Sequence, residues 1–233
     1  FLARIGRIGR AGLRLADDLH TTSVRATHVL SRFDIPATTI REPFDLAHVP
    51  SRTVKRVQPR ILVYTSDAWR QDFVAILGAF EAIKSKYPRA ELVVAGPDIR
   101  AEGVVGSALI QSGLIRRRLD SFDEFLELCQ ETDIYLATTA IDITPRPLLA
   151  AMASGLPAII PPLGDIRPST IAALVRHEES TRVARSRIVD AIIDLVEKPE
   201  LARELSAYSL QTARAYVLSC PVDPQSSDWR LTA

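Results

Sequence analysis

The residues best suited to chemistry lie between an apolar segment and a helical one. They form the stretch 138–147, which contains Asp142 and Arg146. A helix that begins near Pro147 presents free backbone N–H groups and the positive end of its dipole here. Arg146 adds a planar guanidinium group that suits phosphate oxygens. The stretch therefore predicts an anion site, with an ordinary loop and a surface arginine as the alternative.

Short apolar segments alternate with helical patterns from residue 60 onward. The strand-like segments are 61–64, 91–96, 114–115, 133–137 and 158–160. The helical patterns are 72–86, 121–130, 147–154, 186–197 and 200–218. This alternation predicts an α/β domain with a doubly wound parallel sheet and helices on both faces. Ligands of such sheets bind outside the carboxyl ends of the strands, which is where stretch 138–147 falls.

The first sixty residues are basic, with eleven Arg and Lys against five Asp and Glu, whereas the remaining residues have 18 against 23. We predict helical structure over 1–31 with a break near 21–23, then a linker over 33–59 with one strand at 38–40. Four arginines recur at helical spacing, at positions 4, 7, 10 and 14. We interpret them as a solvated helix face, with peripheral membrane contact as the alternative.

Composition and short motifs argue against several function classes. The two cysteines and four histidines have no metal-ligand spacing, so we expect no metal site. Dinucleotide-binding, P-loop and nucleophile-elbow motifs are missing, which argues against an oxidoreductase, an NTPase and an α/β-hydrolase. No apolar run approaches the roughly 20 residues of a membrane span, and no signal-peptide pattern is present.

Several other conspicuous residues are better explained by structure than by chemistry. The arginines at 116–118 are interpreted as a solvated turn, with a phosphate contact as the alternative. Cys129 is expected to be buried and unreactive, and Asp133 to cap a strand. Trp69 is explained equally well by packing and by stacking on a base, and His177 is expected to be exposed.

Residues 147–160, PLLAAMASGLPAII, resemble the helix-and-strand signature of group 1 (family 4) glycosyltransferases. The pattern of that family is Pro-Leu-Leu-Glu-Ala-Met-Ala-x-Gly-x-Pro-Val-Ile. Weaker likenesses in the same order extend the resemblance to roughly residues 16–217. The resemblance implies the carboxyl-terminal, Rossmann-like donor domain of a GT-B fold. It also implies a retaining, metal-independent enzyme that binds a nucleotide-diphosphate sugar and passes the sugar to an acceptor.

The resemblance assigns roles to individual residues. Asp142 matches the first glutamate of the family, which lies beside the donor sugar. The family lysine falls at Gln71 and the family arginine near Ser66. Arg70, adjacent to Gln71, can substitute if the loop shifts by one residue, so Asp142 and Arg70 are the implied catalytic pair. The implied donor-binding residues are Arg146, Thr144, Leu148, Leu149, Gln71 and Gly96. No cofactor or metal is implied beyond the nucleotide-diphosphate sugar, which is the substrate.

Three departures from the family pattern bear on activity. Ala150 replaces the second glutamate, which holds the ribose hydroxyls, and a lost charge-assisted hydrogen bond weakens binding by roughly 1.5–3 kcal/mol. Gln71 replaces a lysine, and Ile143, Thr144 and Pro145 replace loop glycines. The prediction is therefore a glycosyltransferase. The alternatives are a catalytically degenerate GT-B module that serves binding or assembly, and a phosphosugar-binding regulatory domain.

These expectations divide the chain into three regions. Residues 1–50 end an acceptor-side domain and cross to the next, residues 51–200 form the donor-binding α/β domain, and residues 201–233 form a carboxyl-terminal helix and tail. The expected partners are a nucleotide sugar, an unknown acceptor and an acceptor domain missing from this chain. Nucleic acid is not an expected partner. A cytoplasmic location is expected, with membrane association through the basic helix as the alternative.

Overall fold

The computed structural model describes residues 12–21, 24–39, 58–65, 72–97, 114–138, 146–160 and 181–218. The strands are β1 His20–Thr21, β2 Thr38–Thr39, β3 Arg60–Tyr64, β4 Glu91–Gly96, β5 Ile115–Arg118, β6 Ile134–Leu136 and β7 Ala158–Ile159. The helices are α1 Val24–Ser31, α2 Phe73–Lys86, α3 Phe122–Gln130, α4 Arg146–Ala153, α5 Thr181–Glu197 and α6 Pro199–Leu218.

Strands β3 to β7 form one five-stranded sheet in the order β5-β4-β3-β6-β7, and every pair is parallel. The chain moves outward from β3 through β4 to β5, then returns to the other side of β3 for β6 and β7. The direction of strand addition thus reverses between β3 and β6. The doubly wound α/β fold predicted from the alternating pattern is confirmed.

Both faces of the sheet are covered, which explains why its central strands are apolar throughout. Leu62 and Val93 point to the face that packs against α3 and α4. Their neighbours Ile61 and Val94 point to the opposite face, against α2 and α5. Helix α6 contributes to both cores, through Leu205 on one side and through Ala213 and Tyr216 on the other.

Helix α3 begins with a modified capping box. Ser121 Oγ accepts a hydrogen bond from the backbone N–H of Glu124 at 3.3 Å. Glu124 Oε2 reaches back and accepts from the N–H of Asp120 at 3.0 Å, one residue before the cap. The backbone N–H groups of Glu124 and Asp120 at the start of the helix therefore both have side-chain acceptors.

A separate two-stranded parallel sheet lies before the main domain. His20–Thr21 pairs with Thr38–Thr39, and helix α1 connects the two strands. The Thr27 hydroxyl lies 2.6 Å from the hydroxyls of both Thr21 and Thr39. The described part of residues 1–50 therefore lies outside the main sheet. The break predicted near 21–23 includes Thr21, but the helical prediction is wrong over residues 15–20. His20 pairs with a strand that follows α1, and the local pattern does not reveal that pairing.

Cys129 lies on α3 in the core, with none of its surface exposed. Burial raises the pKa of its thiol to about 12. At neutral pH the thiol therefore stays protonated, and since the thiolate is the reactive form, Cys129 is unreactive. The expectation of a buried cysteine is confirmed.

Helix α4 ends at the predicted glycine. Gly155 has a φ of +79°, its N–H donates to Met152 O, and the N–H of Leu156 donates to Ala151 O, both at 3.0 Å. These two bonds form a Schellman motif, in which a left-handed residue closes the helix. Ser206 on α6 donates to Gly155 O at 2.5 Å and ties the turn to the last helix.

Alanine should have opposite effects at two glycines. We expect Gly155→Ala to lower the free energy of unfolding by about 1–2 kcal/mol, because a left-handed φ strains a residue with a Cβ. We expect Gly78→Ala to raise it by up to about 1 kcal/mol, because Gly78 lies inside α2 and alanine favours the helix. Its Cβ would lie 3.1 Å from Cδ of Arg185, whose exposed side chain can move aside. Urea denaturation measures both changes, and a shift in the same direction would contradict this explanation.

Candidate functional site

The strand-order reversal between β3 and β6 sets the place where a ligand is expected. In open α/β sheets the connections on the two sides of such a point lead to opposite faces, which leaves a crevice outside the carboxyl ends of the strands. Helix α2 follows β3 and covers one face, while α4 follows β6 and covers the other. Both helices therefore begin at the carboxyl edge of the sheet, on either side of the crevice.

Thr65 marks the end of β3 at this edge. It is buried, and its N–H donates to Ala95 O of β4 at 2.9 Å. Tyr64, just before it, is half-buried, and its ring meets Phe125 of α3 edge-on at 5.4 Å between centroids. Burial raises the pKa of Tyr64, so its hydroxyl remains protonated at neutral pH.

The α2 side of the crevice begins at Asp72. Asp72 Oδ1 accepts from the N–H of Ala75 at 3.0 Å and thereby caps the helix. Its own backbone N–H donates to Thr138 Oγ1 at 2.8 Å, which joins the start of α2 to the end of β6. Sequence reasoning identified Asp72 only as the start of a helix and gave Thr138 no role. The order Asp-x-x-Ala at 72–75 signals a cap, but nothing in the sequence pairs it with Thr138.

The α4 side begins at Arg146, which is half-buried at the first turn of the helix. Pro147 follows in that turn, where its missing N–H costs nothing. Leu148 and Leu149 are 7% and 2% exposed, with their side chains in the core beneath α4. What these two leucines can offer a ligand is the backbone N–H groups of the first turn.

Gly96 is the last residue of β4 and lies at the same edge, one strand away from β3. It is buried, and its carbonyl accepts from the N–H of Leu119 at 3.0 Å. Asp142, Arg70, Thr144 and Gln71 fall outside the described residues, as do Ser66, Trp69, Ile143, Pro145 and His177. Their roles stay predictions.

Ala150 is fully buried within the core cluster beneath α4. Its carbonyl accepts from the N–H and from the hydroxyl of Ser154, both at 2.9 Å. The position at which the resemblance expects a ribose-binding carboxylate therefore holds a methyl group that is closed to solvent.

The arginines at 116–118 form strand β5, so the prediction of a solvated turn is wrong. An edge strand has solvent on its outer side, so it tolerates charged residues that a central strand cannot hold. Arg117 points to the α3 face and lies 3.5 Å from Glu131 Oε2, while Arg118 lies 3.0 Å from Asp120 Oδ1. Two of the three charges thus already have carboxylate partners.

Asp133 has the structural role that was predicted for it. Its Oδ2 accepts from the backbone N–H of Arg60 at 2.9 Å, which joins the amino ends of β3 and β6. The Arg60 side chain lies 3.0 Å from Glu131 Oε2 and, through Nε, 3.0 Å from Glu91 Oε2. This charged cluster lies at the opposite edge of the sheet from the crevice.

Among the described residues, no group of three or more His, Cys, Asp or Glu side chains is placed to hold a metal ion. None of the described helices combines the length and apolar character needed to cross a bilayer.

Comparison with protein families and with curated proteins found no match to this chain. Solved structures of glycosyltransferases are similar to it. Sucrose-phosphate synthase from Thermosynechococcus elongatus superposes with a TM-score of 0.69 at 17% identity, over 90% of this chain and 56% of that one. The pneumococcal O-GlcNAc transferase GtfA, solved with UDP and GlcNAc, gives 0.70 at 16% identity, over 91% and 44%.

A third similar structure has a closer match in length. The C-terminal domain of a glycosyl transferase group 1 family protein from Francisella tularensis gives a TM-score of 0.57 at 18% identity, over 74% of this chain and 97% of that domain. The chain thus spans about half the length of the first two structures and nearly all of this separate domain. The shared architecture is the α/β Rossmann-like fold of GT-B glycosyltransferases.

Proposed function

We propose that this chain is the donor-binding part of a glycosyltransferase that uses a nucleotide-diphosphate sugar. One observation supports the proposal most directly. The first turn of α4, with Arg146, lies at the carboxyl edge beside the strand-order reversal, in a fold that glycosyltransferases share. A positive helix end and a guanidinium group at this place suit the diphosphate of such a donor.

The α4 end of the crevice is a better anion site than the α2 end. Helix α2 already has a carboxylate at its amino terminus, because Asp72 caps it. That charge opposes the approach of a phosphate group. The first turn of α4 contains no acidic residue and includes Arg146. We therefore assign the diphosphate to α4.

The proposed reaction is transfer of the sugar with retention of configuration and without a metal. The bond between the anomeric carbon and the diphosphate oxygen breaks, a bond to the acceptor oxygen forms, and the proton of the acceptor hydroxyl passes to an oxygen of the departing diphosphate. Arg146, the helix end and Arg70 stabilise the charge that develops on the departing diphosphate. Asp142 orients the sugar, and Thr144, Gln71 and Gly96 complete the donor contacts.

The proposal requires an acceptor-binding part that this chain does not supply. The chain spans about half of the first two similar structures, so the acceptor domain comes from further chain or from a partner. The acceptor remains to be identified. The alternative interpretation of the arginines at 4, 7, 10 and 14, contact with a membrane surface, would place the reaction at the cytoplasmic side of a membrane.

The second candidate function is a GT-B module without catalysis that serves binding or assembly. The burial of Ala150 favours it, because no exposed fraction of that residue remains for a ribose to contact. Loss of the ribose carboxylate weakens donor binding without removing the phosphate contacts. We therefore expect the enzyme to bind the nucleotide measurably and the module without catalysis to bind it weakly or not at all.

Calorimetric titration with UDP, GDP and their common sugar conjugates tests the proposal. We expect one nucleotide to bind in the micromolar range, and Arg146→Ala to weaken it by about ten- to a hundredfold, as for a lost charge-assisted hydrogen bond. Arg89→Ala is the matched control, because the exposed Arg89 lies in the turn that leads to the amino end of β4. A folded chain that binds none of the nucleotides would overturn the donor-site proposal and favour the module without catalysis.

A further inference from the structure

The two sides of the proposed crevice follow strands β3 and β6. The pairing of these two strands ends before the crevice. Strands β3 and β6 pair at Ile61 with Ile134 and at Leu62 with Tyr135. Beyond these pairs, the hydrogen bond from Asp72 N–H to Thr138 Oγ1 connects the start of α2 with the exit of β6. It lies at the rim of the crevice, where strand pairing no longer holds the two sides together.

This bond replaces one that a helix normally makes within itself. In a capping box, the third helical residue reaches back and accepts from the N–H of the cap. Helix α3 does nearly this with Glu124. In α2 the third residue is Ala75, whose side chain has no acceptor, and Thr138 supplies the oxygen from the other side of the crevice.

We propose that Thr138 is a positioning residue of the donor site. This inference rests on the proposed function, because it assigns Thr138 a part in that same site. By holding the cap of α2 against the exit of β6, Thr138 keeps the two sides of the crevice in the arrangement that a bound donor needs. A site that is already arranged before binding loses less free energy in ordering itself.

The test compares Thr138→Val, which keeps the shape but removes the acceptor, with Thr138→Ser, which keeps the acceptor. We expect the Val variant to bind the nucleotide of the wild-type chain about three- to tenfold more weakly, as for one lost hydrogen bond. We expect the Ser variant to stay within twofold of wild type. If the Val variant does not fold, Thr138→Ala against Thr138→Ser gives the same comparison.

A structural control separates positioning from general stability. Ser121→Ala removes the cap of α3, which is not one of the two helices that border the crevice, so it should lower the melting temperature and leave the affinity unchanged. Unchanged affinity in Thr138→Val, with wild type binding normally, would overturn the positioning role alone. If the folded wild-type chain binds no nucleotide, the proposed function fails first and the positioning role fails with it.

Discussion

Replacing Ala150 by glutamate, the residue that the glycosyltransferase pattern has there, should lower the free energy of unfolding by about 3–5 kcal/mol. Ala150 is fully buried within the core beneath α4. The larger side chain must displace packed neighbours, and its carboxylate would have to leave water, a cost that the half-buried Arg146 one helical turn away offsets only in part. Chemical denaturation at pH 7 measures the loss.

The part of this loss that comes from charge should depend on pH. Burial raises the pKa of a carboxyl above its unfolded value of about 4.3. The penalty is therefore largest above the folded pKa, shrinks as the pH falls through it, and vanishes below about pH 4. Ala150→Gln has nearly the same size without the charge, so the difference between the two variants at each pH isolates the carboxylate.

The opposite result would carry information about function. If Ala150→Glu folds with wild-type stability and binds a nucleotide more tightly than wild type, position 150 opens into a donor site on ligand binding. That outcome would favour the enzyme over the module without catalysis. The expected loss of stability would instead mean that the core has repacked around alanine.

Phe125→Ala should lower the free energy of unfolding by about 3–5 kcal/mol, the range for buried aromatic residues. Phe125 is 1% exposed, meets Tyr64 edge-on at 5.4 Å, and stacks on Phe122 at 5.9 Å. Its loss removes the packing between α3 and the end of β3, where the crevice begins. Thermal and urea unfolding both measure this change.

Two further variants give the control for Phe125. Phe125→Leu keeps most of the buried volume and should cost clearly less than the alanine variant. Phe122→Ala should also cost less, because Phe122 is only partly buried. Equal losses in all three variants would contradict the assignment of Phe125 as the centre of this packing.

Much of the fold was predictable because its signals are local. Strand β4 has the predicted bounds, and β3 differs by one residue at its start. The caps at Ser121 and Gly155 were also predictable, because each depends on residues within one helical turn. In the site, the positions of Arg146 and Gly96 at the carboxyl edge followed from the alternation of strands and helices.

Other features of the strands could not be predicted, because they depend on pairing between segments that are distant in the sequence. A strand was predicted at 114–115, but its continuation through Arg116–Arg118 was predicted as a turn because the run is charged, and only its place at the sheet edge makes it a strand. The pairing of β1 with β2 likewise joins segments on either side of α1.

By itself, then, the sequence determined the doubly wound class, the helix caps and the place of the crevice, because these follow from hydrophobic periodicity and short-range hydrogen bonds. Only the tertiary structure decided that Thr138 completes the cap of α2 and that Ala150 is closed to solvent. The first needs two residues far apart in the chain to come within hydrogen-bond distance. The burial of Ala150 depends on all the side chains that pack around its methyl group.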